Sequence, residues 1–351
     1  MKPFHRFFLL TGLGLLAGCQ GGPATEPPHT ATTAASWSAR NPVWRGLHLL
    51  LNSDSDLITL QAQLPRLAGA GVNTLILEVN YNFVFQSHPE LGAPAGIKPE
   101  HARQFTAAAR QLGLRVIPQL NCLGHQSWAQ KTYTLLTVHP EFDETPGQFP
   151  ENKDIYCRSW CPQHPGVNPI IFALIDELAA AFEADAFHVG MDEVFLIASA
   201  HCPRCRGGDP AALFARAVTD LHRHIVGGRH LEMLMWGDRL LDAQAMHGGE
   251  WEYARNGTAP AAALIPKDII VCDWHYEKQA DYPSVPFLLS QGFRVWPASW
   301  QPLEGAQAFS SFARQQHDPK LVGFLCTVWG RVKLEDVAAW PPVAEVLAGW
   351  K

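Results

Sequence analysis

The sequence carries little charge and no cluster of basic residues. Charged residues make up 17% of its 351 positions, and the formal net charge is −6. Nucleic-acid-binding domains concentrate Lys and Arg on one surface, so this composition argues against a polyanionic partner. The phosphate loop G-x-x-x-x-G-K is missing, as is G-x-G-x-x-G after a predicted strand. The serine nucleophile elbow G-x-S-x-G is missing too, so the sequence offers no site for a nucleotide cofactor and no serine nucleophile.

The sequence is instead rich in aromatic residues, with 12 Trp and 18 Phe. From residue 41 onward, strand-like apolar runs alternate with helix-like segments, which is typical of a parallel α/β fold. We predict a single-domain (β/α)₈ TIM barrel over residues 41–351, with a doubly wound open sheet as the alternative. The strands are predicted at Trp44–Leu51, Val72–Val79, Leu114–Leu120, from Phe187, and at Leu231–Trp236, Ile269–Trp274, Phe293–Trp296 and Leu321–Trp329.

The fourth predicted strand ends in two adjacent acids. The apolar run from Phe187 leads directly to Asp192 and Glu193, as expected for a buried strand that delivers carboxylates to its C-terminal end. Two neighbouring ionised carboxylates repel each other, so one is expected to keep a proton and donate it while the other stays charged. The pair therefore predicts general acid catalysis, and the alternative is a solvated turn. His188 is either a packed core group or a metal ligand.

Polar and aromatic residues also follow the other predicted strands. In a barrel these strand ends meet at one mouth, where active sites form. Acids and amides mixed with Trp are typical of a carbohydrate cleft, because flat aromatic rings pack against the apolar face of a sugar. The residues at these ends are Glu78, Asn80, Tyr81, Asn121, His125, Trp128, Trp236, Asp238, Asp273, Trp274, Tyr276, Trp296, Trp300, Trp329 and Arg331.

Several segments carry a family resemblance. The fourth strand reads HVGMDE, and the other strands carry RGLHL, VIPQLNCLGHQSW, LMWGD, CDWHY, VWPAS and TVWGR. Over about residues 44–335 these resemble glycoside hydrolase family 20, the β-N-acetylhexosaminidases, and more closely the hexosaminidase D branch. The family motif is His-x-Gly-Gly-Asp-Glu, so Met191 stands at the second glycine.

The resemblance implies an exo-acting, retaining β-N-acetylhexosaminidase that needs no cofactor for catalysis. In this family the substrate's 2-acetamido oxygen attacks the anomeric carbon and forms an oxazolinium intermediate, an exception to two-carboxylate hydrolysis. Glu193 is the implied general acid and base, Asp192 orients the acetamido N–H, and Tyr276 holds the acetamido oxygen. Together with the strand ends, the resemblance predicts substrate-binding roles for Arg45, Glu78, His125, Trp128, Trp236, Asp238, Trp296, Trp329 and Arg331.

The sequence departs from the family pattern at two places. Many members carry Trp-x-Glu after strand eight, whereas this chain has Trp329 and Arg331. Gln119 and Asn121 stand where the third strand usually has Glu and Asp. Terminal N-acetylgalactosamine and N-acetylglucosamine both stay open as substrates, and the hexosaminidase D resemblance favours the first.

The N-terminal residues resemble an export signal. Lys2 and Arg6 precede an apolar run, and the segment 16–19 (Leu-Ala-Gly-Cys) resembles a bacterial lipobox, with an ordinary secretory signal as the alternative. We therefore expect a signal peptide over 1–19 and lipidation of Cys19, and Gln20 by resemblance favours the outer membrane. Residues 20–40, rich in Gly, Pro, Thr and Ala, predict a flexible tether.

Two pairs of cysteines flank the fourth strand. The segment Cys202-Pro-Arg-Cys205 resembles a zinc knuckle, so Cys157, Cys161, Cys202 and Cys205 could hold one structural zinc. Disulfides, which are common in exported proteins, are the main alternative, and free thiols are the third. None of these gives a metal a catalytic role. Cys122, Cys272 and Cys326 are predicted to be small buried hydrophobic residues.

Two other functions remain open from the sequence alone. The chain could be an amino-sugar-binding lipoprotein without catalytic activity, or a glycosidase with a different sugar specificity. Dependence on the 2-acetamido group distinguishes the last case, because a sugar without this group has no internal nucleophile. The partners expected from the sequence are an amino-sugar glycan and a membrane reached through Cys19.

Overall fold

The computed structural model describes residues 34–350, apart from the side chain of Ala35. The predicted signal peptide, Cys19 and the tether up to residue 33 lie outside these residues. Within residues 34–350, no helix combines the length and apolar character that a membrane span requires.

Eight parallel strands of the described chain close into a barrel. Each strand pairs with the next one along the sequence, and the last pairs with the first. The strands are β1 (Trp44–Leu50), β2 (Thr74–Glu78), β3 (Arg115–Cys122), β4 (Ala186–Gly190), β5 (Glu232–Trp236), β6 (Ile270–Trp274), β7 (Arg294–Ser299) and β8 (Gly323–Val328). The predicted (β/α)₈ barrel is thus confirmed, and the open sheet is excluded.

The apolar runs form strands because a barrel buries both faces of its sheet. Every residue of β2, β3, β4, β6 and β8 is buried. A short hairpin of Ser127–Trp128 and Lys131–Thr132 extends from the loop after β3. This loop and the loop after β4 are therefore placed over the C-terminal end of the barrel, where they build the site.

The helices cover the outside of the barrel. In the described residues they are α1 (Ala34–Arg40), α2 (Asp54–Ala70), α3 (Pro99–Gln111), α4 (Thr134–Val138), α5 (Val167–Ala181), α6 (Pro210–His222), α7 (Ser284–Ser290) and α8 (Leu303–Arg314). Ser53 caps α2 by accepting the Asp56 N–H, and Gly71 ends it at φ 97°. Pro65 lies within α2 and does not end it. Its ring is exposed, and buried Leu64 and Leu67 on either side hold the helix against the core.

Two segments of the barrel form short turns rather than α-helices. After β5 the chain forms two 3₁₀ turns, Asp238–Leu240 and Ala259–Ala263, and no α-helix before β6. The last segment is a 3₁₀ turn (Leu334–Ala339), a π turn (Pro342–Val346) and another 3₁₀ turn (Leu347–Trp350). Pro341 and Pro342 interrupt that last segment because proline lacks the N–H that a continuous helix needs.

The folded domain begins earlier than the sequence suggests. Residues 34–40, expected to end a flexible tether, form α1. Trp37 is buried and meets Trp44 edge to face, with ring centroids 5.6 Å apart. The guanidinium of Arg115 lies 5.2 Å from the centre of the Trp37 ring. This apolar contact outweighs the tether-like composition of the segment.

Candidate active site

A cavity of about 540 Å³ opens at the C-terminal mouth of the barrel. Its walls come from the ends of the strands and from the loops that follow them. The lining residues are Leu50, Glu78, Asn80, Asn121, His125, Trp128, Tyr133, Tyr156, Asp192, Glu193, Trp236, Trp274, Tyr276, Trp300, Trp329 and Arg331. Both predicted catalytic carboxylates therefore face one cavity walled by aromatic rings.

The turn after β4 brings both acids to the cavity. Gly190, Met191 and Glu193 adopt left-handed φ angles of 67°, 75° and 50°. At Gly190 an added Cβ would lie 2.5 Å from Oδ1 and 2.9 Å from Cα of Asn121, so a side chain would force β3 and this turn apart. Met191 adopts its left-handed φ although it is not glycine. Its side chain is completely buried. Such a chain path is strained and is often found where a protein aims side chains at a reaction.

Asp238 stabilises this turn with a hydrogen bond to its backbone. Its Oδ2 accepts the backbone N–H of Glu193 at 2.9 Å, and the same oxygen pairs with Nε of Arg239 at 2.6 Å. Burial raises the pKa of Asp238 to about 6, although Arg239 opposes the shift. Asp238 does not line the cavity. Asp238 therefore lies behind the cavity wall, where it positions the backbone of Glu193.

His125 lies between the two carboxylates. Its Nε2 is 3.2 Å from Oδ2 of Asp192 and 3.2 Å from Oε2 of Glu193. Burial disfavours a charged imidazole, but the carboxylates outweigh burial and raise the pKa of His125 well above its ordinary value. Burial likewise acts to raise the pKa of Asp192, yet His125 holds it below the ordinary value. The other oxygen of Asp192, Oδ1, is buried and has no hydrogen-bond partner.

Tyr156 lies on the other side of the acid and was missed from the sequence. Burial and the Glu193 carboxylate raise its pKa well above the ordinary value. Its ring meets Trp128 and Trp251 edge to face, at centroid distances of 5.2 and 4.9 Å. Both tryptophans are about half exposed. Tyr156 lies deep within a long loop, far from any strand end, so strand-end reasoning could not find it.

Tyr276 and Trp329 form a polar pair across the cavity wall. Nε1 of Trp329 donates to the Tyr276 hydroxyl at 2.8 Å. Burial raises the pKa of Tyr276 well above its ordinary value, so the hydroxyl keeps its proton. Trp236 and Trp274 line the wall next to this pair. The Nε1 atom of Trp236 is buried without a partner.

Glu78 sits at the centre of a network of amide and imidazole donors. Its Oε1 accepts from Asn80 at 2.8 Å and from Asn121 at 2.9 Å. Its Oε2 accepts from Gln119 at 2.9 Å and lies 3.1 Å from Nε2 of His48. His48, a completely buried residue of β1, was not among the predicted site residues. Its only sequence signal was a histidine within an apolar strand.

Two predicted substrate contacts are wrong because they lie too early in their strands. Arg45 is the second residue of β1, at the N-terminal end of the barrel, where its guanidinium donates to the carbonyls of Gly71 and Trp350. Trp296 is completely buried in the barrel interior, edge to face with Trp44 at 5.2 Å. The cavity reaches neither residue. Among the other predicted site and strand-end residues outside the cysteine sites, Tyr81, Asp238 and Asp273 do not line the cavity, whereas the rest do.

Two groups of metal-ligand side chains converge within residues 34–350. One is His125 with Asp192 and Glu193, and the other is Glu144 with Cys161, Cys202 and Cys205. Cys157, predicted in the second group, lies elsewhere, with its Sγ 3.6 Å from the carbonyl of Glu193. The structure thus replaces Cys157 with Glu144 in the predicted cysteine set.

The remaining predicted core groups are buried. Cys122, Cys272 and Cys326 are buried, and the described cysteines form no disulfide. His188 accepts the Gly190 N–H at its Nδ1, and its ring centroid lies 4.8 Å from that of Trp236. Burial lowers the pKa of His188 to about 3. His188 is therefore a neutral core group rather than a member of either metal-ligand group.

Solved structures share this fold. A Flavobacterium johnsoniae chitobiase superposes with a TM-score of 0.65 and 16% identity, over 88% of this chain and 48% of its own length. A Vibrio harveyi exo β-N-acetylglucosaminidase in complex with N-acetylglucosamine superposes with a TM-score of 0.64 and 18% identity, over 88% and 54% of the two chains.

Sequence comparisons identify the family. A Vibrio furnissii β-hexosaminidase is 24% identical over 288 residues, which are 72% of this chain and 42% of the relative. The chain thus spans less than half the length of that curated relative. The profile of the glycosyl hydrolase family 20 catalytic domain matches residues 65–330, most of the barrel. The chain therefore belongs to glycosyl hydrolase family 20.

Proposed function

We propose that this protein is an exo-acting, retaining β-N-acetylhexosaminidase that uses the substrate's 2-acetamido group as its nucleophile. The observation that carries the proposal is the convergence of Asp192, Glu193 and Tyr276 on one cavity walled by tryptophans. A carboxylic acid for the leaving group, a carboxylate for the acetamido N–H and a hydroxyl for its oxygen are the groups that this reaction needs. No step requires a cofactor.

The reaction begins with Glu193. Its carboxylic acid donates a proton to the glycosidic oxygen while the acetamido oxygen attacks the anomeric carbon and the C–O bond to the leaving group breaks. This forms the oxazolinium ion. Water then attacks the same carbon, the ionised Glu193 takes a proton from that water, and the ring opens to restore the acetamido group. Two inversions at one carbon retain its configuration.

Asp192 supports the acetamido group as positive charge develops on it. Because His125 holds the pKa of Asp192 low, the carboxylate is ionised at neutral pH. Its buried Oδ1 has no protein partner and can accept the acetamido N–H. A fixed carboxylate at this place stabilises the oxazolinium-like transition state more than the neutral substrate, which is how such a group accelerates a reaction.

Tyr276 orients the acetamido oxygen. Its hydroxyl already accepts the Trp329 N–H, which leaves the hydroxyl proton to be donated. Donation to the acetamido oxygen would hold this oxygen in line with the anomeric carbon. Trp236, Trp274 and Trp329 offer apolar faces to the methyl group and the sugar ring.

We further propose that the enzyme belongs to the hexosaminidase D branch and prefers terminal N-acetylgalactosamine. Arg331, whose guanidinium lies 5.2 Å from the centre of the Trp300 ring, lines the cavity where many members have a glutamate. Arginine only donates hydrogen bonds, whereas glutamate accepts them. The four donors around Glu78 also occupy its acceptor sites. Both features support the proposal that this site recognises the distal sugar hydroxyls differently from family members that carry the glutamate.

The test uses aryl β-N-acetylgalactosaminide, β-N-acetylglucosaminide and β-glucoside with the wild type and Glu193→Gln. We expect turnover of the two acetamido sugars alone, with a loss of about 10²–10⁴-fold in the variant, the usual contribution of a general acid. Glu183→Gln, at a half-exposed glutamate paired with Arg110, is the matched control and should keep full activity. Cleavage of the β-glucoside would contradict the internal nucleophile. Saturable binding without turnover would instead support the sugar-binding alternative.

We also propose that Cys19 anchors the protein to the outer membrane of a bacterial cell envelope. The support is the sequence of residues 16–20 alone. Fatty-acid labelling of the expressed full chain should mark the wild type, and Cys19→Ser should release the protein from the membrane fraction. Unlabelled wild-type protein in the soluble fraction would contradict this anchor.

A further inference from the structure

Three cysteines and one glutamate meet in a closed pocket beside the active-site loops. The side chains of Glu144, Cys161, Cys202 and Cys205 are at most 1% exposed. Their ligand atoms all lie within 4.8 Å of one another, and Sγ of Cys161 is 3.4 Å from Sγ of both Cys202 and Cys205. These sulfur distances are too long for disulfides, whose S–S bond is about 2.05 Å.

Glu144 is the unusual member of this group. Its Oε1 accepts the Ser199 N–H at 2.9 Å, but its Oε2 is completely buried and has no partner. An ionised carboxylate in such a place is costly unless a cation compensates it. A disulfide between any two of the cysteines would leave the Glu144 carboxylate without a cation beside it. A metal ion satisfies all four groups at once.

The backbone fixes these ligands from two loops. Glu144 N donates to the Ser159 carbonyl at 3.0 Å and Cys161 N to the Phe142 carbonyl at 2.6 Å, which pairs two stretches of the loop after β3. Cys202 and Cys205 lie on a turn in the loop after β4, closed by the bond from Arg206 N to the Cys202 carbonyl at 3.2 Å.

A side chain also links the two loops next to these ligands. Nε2 of Gln163 donates to the Arg204 carbonyl at 2.8 Å and lies 3.8 Å from Sγ of Cys205. Groups of this kind around a metal orient its ligands.

We propose that Glu144, Cys161, Cys202 and Cys205 bind one Zn²⁺ ion in a closed tetrahedral site. Three thiolates and one carboxylate with no open position are typical of a structural zinc rather than a catalytic one. The ion joins the loop that carries Tyr156 to the loop that carries Glu193. It therefore holds the aromatic wall against the catalytic acid without touching the substrate.

The test measures metal in the full-length protein and is independent of its activity. Wild type expressed with zinc in the medium should contain one zinc per chain by elemental analysis and by native mass spectrometry. Glu144→Gln and Cys202→Ser should lower the zinc affinity at least tenfold. Cys157→Ser is the matched control, a buried cysteine outside the group, and should keep the zinc.

Cobalt substitution of the wild type gives a second measurement that needs no variant. Co²⁺ should show thiolate-to-metal charge-transfer absorption with the intensity of three thiolates, and zinc should displace it. Four thiolates, with zinc lost in Cys157→Ser and kept in Glu144→Gln, would overturn the proposed ligand set. Metal-free wild type with a disulfide among Cys161, Cys202 and Cys205 would overturn the site itself.

Discussion

The two ends of the barrel use the same residue types in opposite ways. At the N-terminal end, Arg115 pairs with Asp185 and Glu232, each at 2.7 Å, and Glu232 pairs in turn with Arg294 at 2.6 Å. At the C-terminal end, two adjacent carboxylates, Asp192 and Glu193, share the single imidazole of His125. Charges are balanced at one end and unbalanced at the other.

Tryptophans show the same contrast. Trp37 and Trp44 lie under the guanidinium of Arg115, and Trp44 packs against Trp296, so their faces are covered by protein. Trp128 and Trp251 at the mouth leave about half of their surface exposed. Maintaining stability and presenting a surface to a ligand are thus separated along the strands, as expected for this fold. Variants at the C-terminal end should therefore mainly lower kcat/KM, whereas variants at the N-terminal end should mainly lower the free energy of unfolding.

The largest expected effect is at Asp192. Asp192→Asn removes the negative charge that stabilises the transition state, so kcat/KM should fall roughly 10²–10³-fold. The thermal midpoint should also fall, because His125 loses one of its two carboxylate partners, but the activity loss should be the dominant effect. Asp185→Asn is the counterpart at the other end and should lower the thermal midpoint while kcat/KM stays unchanged. The reverse pattern would contradict the separation of the two ends.

The next largest expected effect is a lower free energy of unfolding when Arg115 is replaced. Arg115→Met leaves two acids without their shared cation, and removing one partner of a buried ion pair costs about 3–5 kcal/mol. Urea unfolding should show a loss near the low end of that range, because Glu232 keeps Arg294 as a partner. The folded fraction should retain the wild-type kcat/KM. A loss of activity without a loss of stability would disprove the structural role of Arg115.

His125 should make stability depend on pH. Its raised pKa means that the folded state binds a proton more tightly than the unfolded state. The resulting stabilisation is complete below the ordinary histidine pKa of about 6.5 and declines as pH rises towards the folded pKa. The lowered pKa of Asp192 stabilises the fold above pH ~4 and is lost as pH falls through the folded value.

The measurement is urea unfolding of wild type and His125→Asn at pH 5 and pH 9. The difference in unfolding free energy should be larger at pH 5, since each tenfold gain in proton affinity on folding stabilises the protonated protein by about 1.4 kcal/mol. His222→Asn, at a histidine paired with exposed Asp268, is the control and should show a much smaller pH dependence. An equal difference at both pH values would exclude a charged His125.

The smallest expected effects come from removing either of two indole hydrogen bonds of equal length. Trp329 donates to Tyr276 at 2.8 Å at the mouth, and Trp350 donates to Ser310 at 2.8 Å near the other end. Each bond contributes about 1 kcal/mol. Trp329→Phe should therefore lower kcat several-fold, whereas Trp350→Phe should lower the unfolding free energy and leave kcat unchanged. Equal kinetic effects of the two variants would show that the Trp329 bond does not orient Tyr276.

The sequence was a good guide wherever a side chain follows a buried strand directly. Apolar runs gave the strands, and the acids after β4 face the cavity because strand ends must meet at one mouth. Reasoning failed for Arg45 and Trp296, which belong to the right strands at the wrong height. It also failed for Tyr156 and Glu144, because loops bring distant segments together without a periodic pattern. The position of a residue along the barrel axis and the contacts between loops both depend on tertiary packing, which a sequence pattern does not specify.

Gly190 and Met191 share one left-handed turn, yet they are restricted for different reasons. At 190 a side chain would meet Asn121 and force β3 and this turn apart. At 191 the backbone strain, of order 1–3 kcal/mol, is offset by a buried methionine, whose loss from a core typically costs about 2–5 kcal/mol. Over evolutionary time position 190 should thus remain glycine. Position 191 should instead accept a side chain that fills the buried space now occupied by the methionine.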